Sequence, residues 1–207
     1  MIRGKRIVLL LLVTIVAVAG SILVLARSHP PAPLPRYGQL GSFALIDHTG
    51  AAVTPETLRG HVVIADFVFT RCDNICPLLS QKMQRIQEET ASLGDAVRLI
   101  SFSVDPAYDT PERLAAYARG FHADEARWRF ATSPRGDRAD LAPIAAALMS
   151  PMNDLGLAPS GAPAIQHSNT FFLLDRDLEL RGYYDADDAP KLEKMLIHTR
   201  RLARPPP

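Results

Sequence analysis

The chain has 207 residues, with 23 Lys+Arg, 22 Asp+Glu, 17 Pro and two Cys. Apolar residues make up 47% and charged ones 22%, which excludes a mostly disordered chain, and two cysteines exclude a disulfide-dense mini-protein. A formal net charge of +1 gives no ground for a nucleic-acid partner.

Arg3, Lys5 and Arg6 precede residues 7–26, a run without one charged residue, and Arg27 closes it. Twenty helical residues span roughly 30 Å, the thickness of a bilayer core. The basic flank favours a cytoplasmic N-terminus, with the rest of the chain on the far side of the membrane. Residues 1–27 therefore read as a single-pass anchor. A cleaved signal peptide is the competing reading, although its apolar region is usually only about 7–15 residues long. Residues 29–35 (HPPAPLP) carry four prolines in seven positions, so residues 28–36 read as a stiff spacer. The folded domain is expected over 37–207. Removing the four basic residues of 1–27 from the total of 23 leaves 19 against 22 acidic ones, a net of −3. Beyond the membrane the two cysteines meet an oxidising compartment, where they can pair.

Within the domain, residues 61–70 (HVVIADFVFT) predict a buried strand. Cys72 to Pro77 follows, then a helix over 78–93 and a second strand over 97–104. Thr110 as N-cap and Pro111 behind it predict a helix over 110–119. Residues 128–131 predict a short strand and 139–149 an alanine-rich helix with Pro143 in its first turn. Residues 150–165, with three prolines and two glycines, read as a loop. Strands at 168–174 and 178–184 flank a turn, and Asp188-Ala-Pro190 opens a last helix that runs to about Leu202. This order predicts an α/β fold, a mixed sheet with helices on both faces, and a thioredoxin-like arrangement fits it best.

Cys72 and Cys76 lie where the first strong strand meets its helix. A helix N-terminus offers free N–H groups and a positive dipole end, which favour thiolate. Two thiolates four residues apart are soft ligands suited to Cu(I) or Zn(II). The same pair also fits a redox-active dithiol or a plain structural disulfide. Of the six histidines, His29, His48, His61, His122 and His198 read as linker, solvated or capping residues. His167 ends the Pro/Gly-rich loop just before an apolar strand, where it can reach the cysteine loop across space. Met149 and Met152 are further soft side chains that more often fill core gaps.

The segments from Asp66 to Pro77 (DFVFTRCDNICP), Ile100 to Pro111 (ISFSVDPAYDTP), Trp128 to Thr132 (WRFAT) and Gln166 to Phe172 (QHSNTFF) together resemble the SCO/SenC family. These are membrane-anchored, thioredoxin-like copper chaperones that help assemble the CuA centre of cytochrome c oxidase. The resemblance implies that Cys72, Cys76 and His167 bind one copper ion, as Cu(I) or Cu(II). It implies the copper-bearing oxidase subunit as partner, with a second periplasmic copper chaperone or a thiol reductase alongside. It implies attachment to the inner membrane with the domain in the periplasm. Asp105 matches an acidic family position near the site, which suggests partner contact or tuning of the ligands. The chain departs from the family pattern at Asp73, at Gln166 and across 150–164. A thiol-disulfide oxidoreductase reducing the oxidase copper-site cysteines is the alternative reading.

Overall fold

The computed structural model describes residues 11–21, 32–72, 75–149 and 169–204, and the backbone of 153–157 and 163–166. The chain divides into two compact units, Met1–Pro33 and Leu34–Pro207. In the first, residues 11–21 form helix α1, with every side chain exposed. The rest of the expected 7–26 span lies outside the described residues. Among those described, no helix is long and apolar enough to cross a membrane.

The second unit opens with β1 (Gly38–Gln39), β2 (Leu45–Asp47), β3 (Ala52–Val53) and the single-turn helix α2 (Pro55–Leu58). Then come β4 (Val62–Val68), α3 (Ile75–Glu89), β5 (Val97–Ser103), α4 (Pro111–Gly120), β6 (Trp128–Thr132) and α5 (Ala142–Ala147). A separate hairpin of β7 (Asn153–Leu157) and β8 (Pro163–Gln166) precedes β9 (Thr170–Leu174), β10 (Glu179–Asp185) and α6 (Ala189–Ala203). The eight-stranded sheet has the order β1-β10-β9-β4-β5-β6-β2-β3. The pairs β4/β5 and β5/β6 are parallel, and β9 runs antiparallel to β4. The expected mixed α/β sheet is therefore present.

β4 is the centre of the sheet. All seven of its residues are buried, because strands on both sides and helices above leave it no solvent face. Right-handed crossovers carry α3 and α4 over the same face of the sheet, where Ser80 Oγ and Tyr117 Oη meet at 3.0 Å. α6 lies beside α3 across a groove of about 570 Å³ floored by Ile86, Leu192 and Leu196. On the other face Phe67 packs on Phe102 and Phe172, with ring centroids 5.9 Å apart in each pair. Phe43, between β1 and β2, meets Phe102 edge-on at 6.1 Å. The fold's own contacts begin at Leu34. Arg181 donates to the carbonyls of Leu34 (2.6 Å) and Pro35 (2.9 Å).

Three of the expected elements take a different form, and β1, β2, β3 and α2 had no counterpart in the sequence expectation. α3 starts at Ile75, three residues early, because Pro77 is well suited to a first helical turn. The alanine-rich segment is split into a 3-10 turn over Arg138–Leu141 and the short α5. Pro143 explains the break, since it has no N–H to bond the preceding turn. The expected loop over 150–165 contains the hairpin β7/β8, with Asp154 opposite Ile165. Pro163 opens its strand, a position that tolerates proline.

His48 is buried rather than solvated. Its Nδ1 accepts from the Phe130 amide at 3.2 Å, and its ring meets Phe130 edge-on. Burial pushes its pKa below the ordinary value, the Asp47 and Glu125 charges oppose that shift, and Arg129 reinforces it. A depressed folded pKa contributes stability above the unfolded pKa of about 6.5 and loses it as pH falls further. The urea midpoint should therefore drop between about pH 7 and pH 5, and the drop should be smaller in His48→Gln. An equal drop in the variant would assign the acid sensitivity to other groups.

Candidate metal centre

The site is built at the C-terminal end of β4. After Val68 the chain leaves the sheet, and the Cys72 amide donates to the Phe69 carbonyl at 3.2 Å, turning it toward α3. Cys72 is partly exposed on this turn, and Cys76 is fully buried in the first turn of α3. The Cys76 amide, one of the unpaired N–H groups of a helix N-terminus, donates to Cys72 Sγ at 3.4 Å. Neither cysteine is in a disulfide.

A side-chain hydrogen bond between the two cysteines pushes the Cys76 pKa well up, burial adds to it, and the charges of Cys72 and Asp66 add further. Asp66 is fully buried on β4, facing α3. Two thiolates so placed repel one another, and a soft cation bound by both removes that repulsion. Loading therefore releases protons.

Two carboxylates hold the turn in place. Asp109 is fully buried. It accepts from the Thr70 amide, from Thr70 Oγ1 at 2.5 Å and from Ser103 Oγ at 2.5 Å. Burial raises its pKa, and the Ser103 and Thr70 hydrogen bonds oppose that rise. Asp105 accepts at Oδ2 from Arg71 Nε (2.9 Å) and NH2 (2.6 Å). Asp105 is itself 5% exposed, so its carboxylate is an internal anchor for Arg71 and not a contact surface. The run from Val104 to Thr110 thus grips Thr70 and Arg71, the two residues before Cys72.

The remaining predicted residues divide clearly. His167 and Met152 lie outside the described residues, as do His29 and Asp73. β9 begins three positions after His167. It pairs Phe172 with Ala65 and Ile64 with Leu173 in antiparallel register, so it starts at the end of the sheet where β4 stops. The chain therefore reaches β9 on the same side of the fold as the cysteine turn. Met149 is exposed, with φ of 53°. His61 Nδ1 meets the Asp95 carbonyl at 2.6 Å, and His198 Nδ1 meets Tyr184 Oη at 2.6 Å. Burial lowers the His198 pKa, with Lys194 and Arg201 adding to it. Among the described residues no group of three His, Cys, Asp or Glu side chains is placed to hold a metal. The sequence reading passed over Asp109, Arg71, Tyr108 and Arg113. Only the density of polar residues in VDPAYDTP hinted at a structured turn there.

The SCO1/SenC family model matches residues 33–204. The SCO1 protein homolog of Bacillus subtilis is 30% identical over 149 residues, 72% of this chain and 75% of that one. A SCO1/SenC family lipoprotein from Bacillus anthracis superposes with a TM-score of 0.71 at 26% identity, covering 81% of this chain and 96% of that one. BsSco, a member of the Sco family of cytochrome c oxidase assembly proteins in which a disulfide switch was identified, gives 0.70 at 25% identity, covering 83% and 96%. Bradyrhizobium japonicum ScoI, solved with copper bound, shares the fold at 24% identity and a TM-score of 0.66, covering 78% and 98%.

Asp109→Ala should leave three donors on two loops without an acceptor. It should cost about 1–3 kcal/mol, read as a lower urea midpoint at unchanged slope. A loss below about 0.5 kcal/mol would mean that those donors find other partners.

Proposed function

Because the chain belongs to the SCO1/SenC family, we propose that it is a copper chaperone in cytochrome c oxidase assembly. In this reading Cys72, Cys76 and His167 hold one copper ion and pass it to the copper-bearing oxidase subunit. One observation carries it: at the N-terminus of α3 the Cys76 amide donates to Cys72 Sγ, which brings together two cysteines outside any disulfide, one buried and the other partly exposed. Soft sulfur donors favour copper in its reduced state, and an imidazole adds a ligand suited to either state. Copper in a ScoI of the same fold supports the choice of metal. The family of oxidase assembly proteins to which BsSco belongs supports the partner. The start of β9 beside the cysteine turn supports His167 as third ligand. A three-coordinate site with one ligand at the surface can release its ion by ligand exchange, whereas a closed four-ligand site retains it.

The N-terminal segment is the anchor in this proposal, crossing the inner membrane once and placing the domain in the periplasm. Arg3, Lys5 and Arg6 before the uncharged run support that orientation. α1 exposes Leu11, Leu12, Val13, Ile15, Val16 and Val18 together, the surface of a helix meant for lipid. Both cysteines lie in the domain, so residues 1–27 offer no thiol for a lipid anchor.

A second reading is favoured by the unequal exposure of the thiols. Cys72 is accessible and Cys76 lies behind it, the arrangement of an attacking and a resolving cysteine. Attack of the Cys72 thiolate on a partner disulfide would form a mixed disulfide. Cys76 would then displace the partner as a dithiol and leave Cys72–Cys76 oxidised.

Copper titration of the fully reduced chain separates the two readings. Wild type should bind one equivalent against a modest competitor. Cys72→Ser and Cys76→Ser should lose it, and His167→Ala should lose most Cu(II) affinity while keeping two-thiolate Cu(I) binding. Failure of the reduced wild type to retain copper would favour the reductase. Equal Cu(II) affinity in His167→Ala would remove the histidine from the site.

A further inference from the structure

Two arginines converge on one tyrosine beside the cysteine turn. Arg71, the residue before Cys72, lies with its guanidinium carbon 4.2 Å from the Tyr108 ring centroid. Arg113, from the first turn of α4, reaches the same ring at 3.8 Å and donates to the Tyr108 carbonyl at 2.7 Å. Their surroundings differ. Arg71 is neutralised from inside by the buried Asp105. Arg113 is exposed, and among the described residues no carboxylate pairs with it. The nearest acid in sequence, Glu112, bonds back to Thr110 at the helix N-cap. The outer surface here therefore carries an ordered, uncompensated positive charge.

We propose that Arg71, Tyr108 and Arg113 form a docking platform for an acidic segment of the partner protein, placed so that its carboxylates meet Arg113 while its ligands approach Cys72. This rests on the reading of the cysteine pair as a site that hands copper on. Hand-over by ligand exchange needs the acceptor's donor atoms within bonding distance of the half-exposed sulfur. The partner must therefore cover the rim of the cysteine turn, and this platform is part of that rim. An arginine already stacked on an aromatic ring has lost much of its rotamer freedom before binding. Its planar edge presents parallel N–H donors that match a carboxylate. Arginine and tyrosine are also the side chains that most often dominate binding energy at protein interfaces. Charge complementarity then selects a partner whose acceptor cysteines are flanked by Asp or Glu, and it raises the association rate.

The test uses two synthetic Cys-x-x-x-Cys acceptor peptides that differ only in their flanks, glutamates in one and glutamines in the other. Binding to the copper-free, reduced chain is measured first, with cysteines replaced by serine in both peptides. Cu(I) transfer to the thiol peptides is measured second, after copper stoichiometry has been checked. The glutamate peptide should bind about tenfold tighter at low salt, and most of that preference should vanish at about 0.5 M salt. Arg113→Gln should abolish the preference, whereas Arg119→Gln, an equal charge change in the last turn of α4, should leave it intact. Equal binding of the two peptides, or equal losses in both variants, would overturn the platform. A chain that binds no copper yet prefers the glutamate peptide would overturn the chaperone reading and leave the platform standing. A chain that loads copper and transfers it equally fast to both peptides would overturn the platform alone.

Discussion

The carboxylate of Asp109 accepts hydrogen bonds from two loops that are 39 and 6 residues away in sequence. Thr70 lies two residues past the end of the strand that leads into the cysteine turn, and Ser103 ends the neighbouring parallel strand. A buried carboxylate cannot be left without donors, so these loops have little freedom to separate. The Cys72 thiol two residues beyond Thr70 is positioned by this constraint and not by the turn alone. The parallel pairing of β4 and β5, with Val68 opposite Ser103, brings the two loops to the same edge. Asp105 repeats the device one residue closer to the cysteine by holding Arg71.

The thiol pair sits on a polarity gradient. Beneath it are Asp66 in β4 and Ser80, both fully buried, with the half-buried Tyr117 bonded to Ser80. Outside it are the guanidinium groups of Arg71 and Arg113 over Tyr108. Negative charge within and burial around Cys76 discourage a free second thiolate, so a bound soft cation is the natural counter-charge. Positive charge at the rim leaves the mouth suited to an anionic visitor. The same asymmetry leaves Cys72, the partly exposed one of the two, as the sulfur that a partner can reach first.

Much of this was legible in the sequence, and the reason differs from element to element. β4 and β5 announced themselves because apolar residues dominate both seven-residue runs, broken only by Asp66 in the first and by Arg98, Ser101 and Ser103 in the second. α4 and α6 were marked by Thr110 and Asp188, whose side chains accept from the amides of Arg113 and Lys191 as N-cap residues should. The pairs β1, β2 and β3 went unseen because two or three residues cannot display a period of two. The hairpin β7/β8 was hidden by three prolines in the same stretch, one of which opens a strand. In the site, the cysteines were visible as a pair at a strand–helix junction. Asp105 was noticed; of the two roles the resemblance suggested for it, partner contact does not fit its burial, while a role beside the ligands stays compatible with its hold on Arg71. Arg71, Tyr108, Asp109 and Arg113 were illegible because their meaning lies in contacts across two loops, which no local spacing records. His48 likewise reads as a turn residue in DHTG and is buried only because β6 delivers the Phe130 amide to it.

The central claim is that Cys72, Cys76 and His167 together hold one copper ion, and X-ray absorption at the copper edge of the singly loaded chain tests it most directly. The account predicts two sulfur neighbours in wild type plus the outer-shell pattern of one imidazole, with that pattern lost in His167→Ala while both sulfurs remain. A copper surrounded only by oxygen and nitrogen, or an imidazole pattern unchanged by His167→Ala, would contradict it.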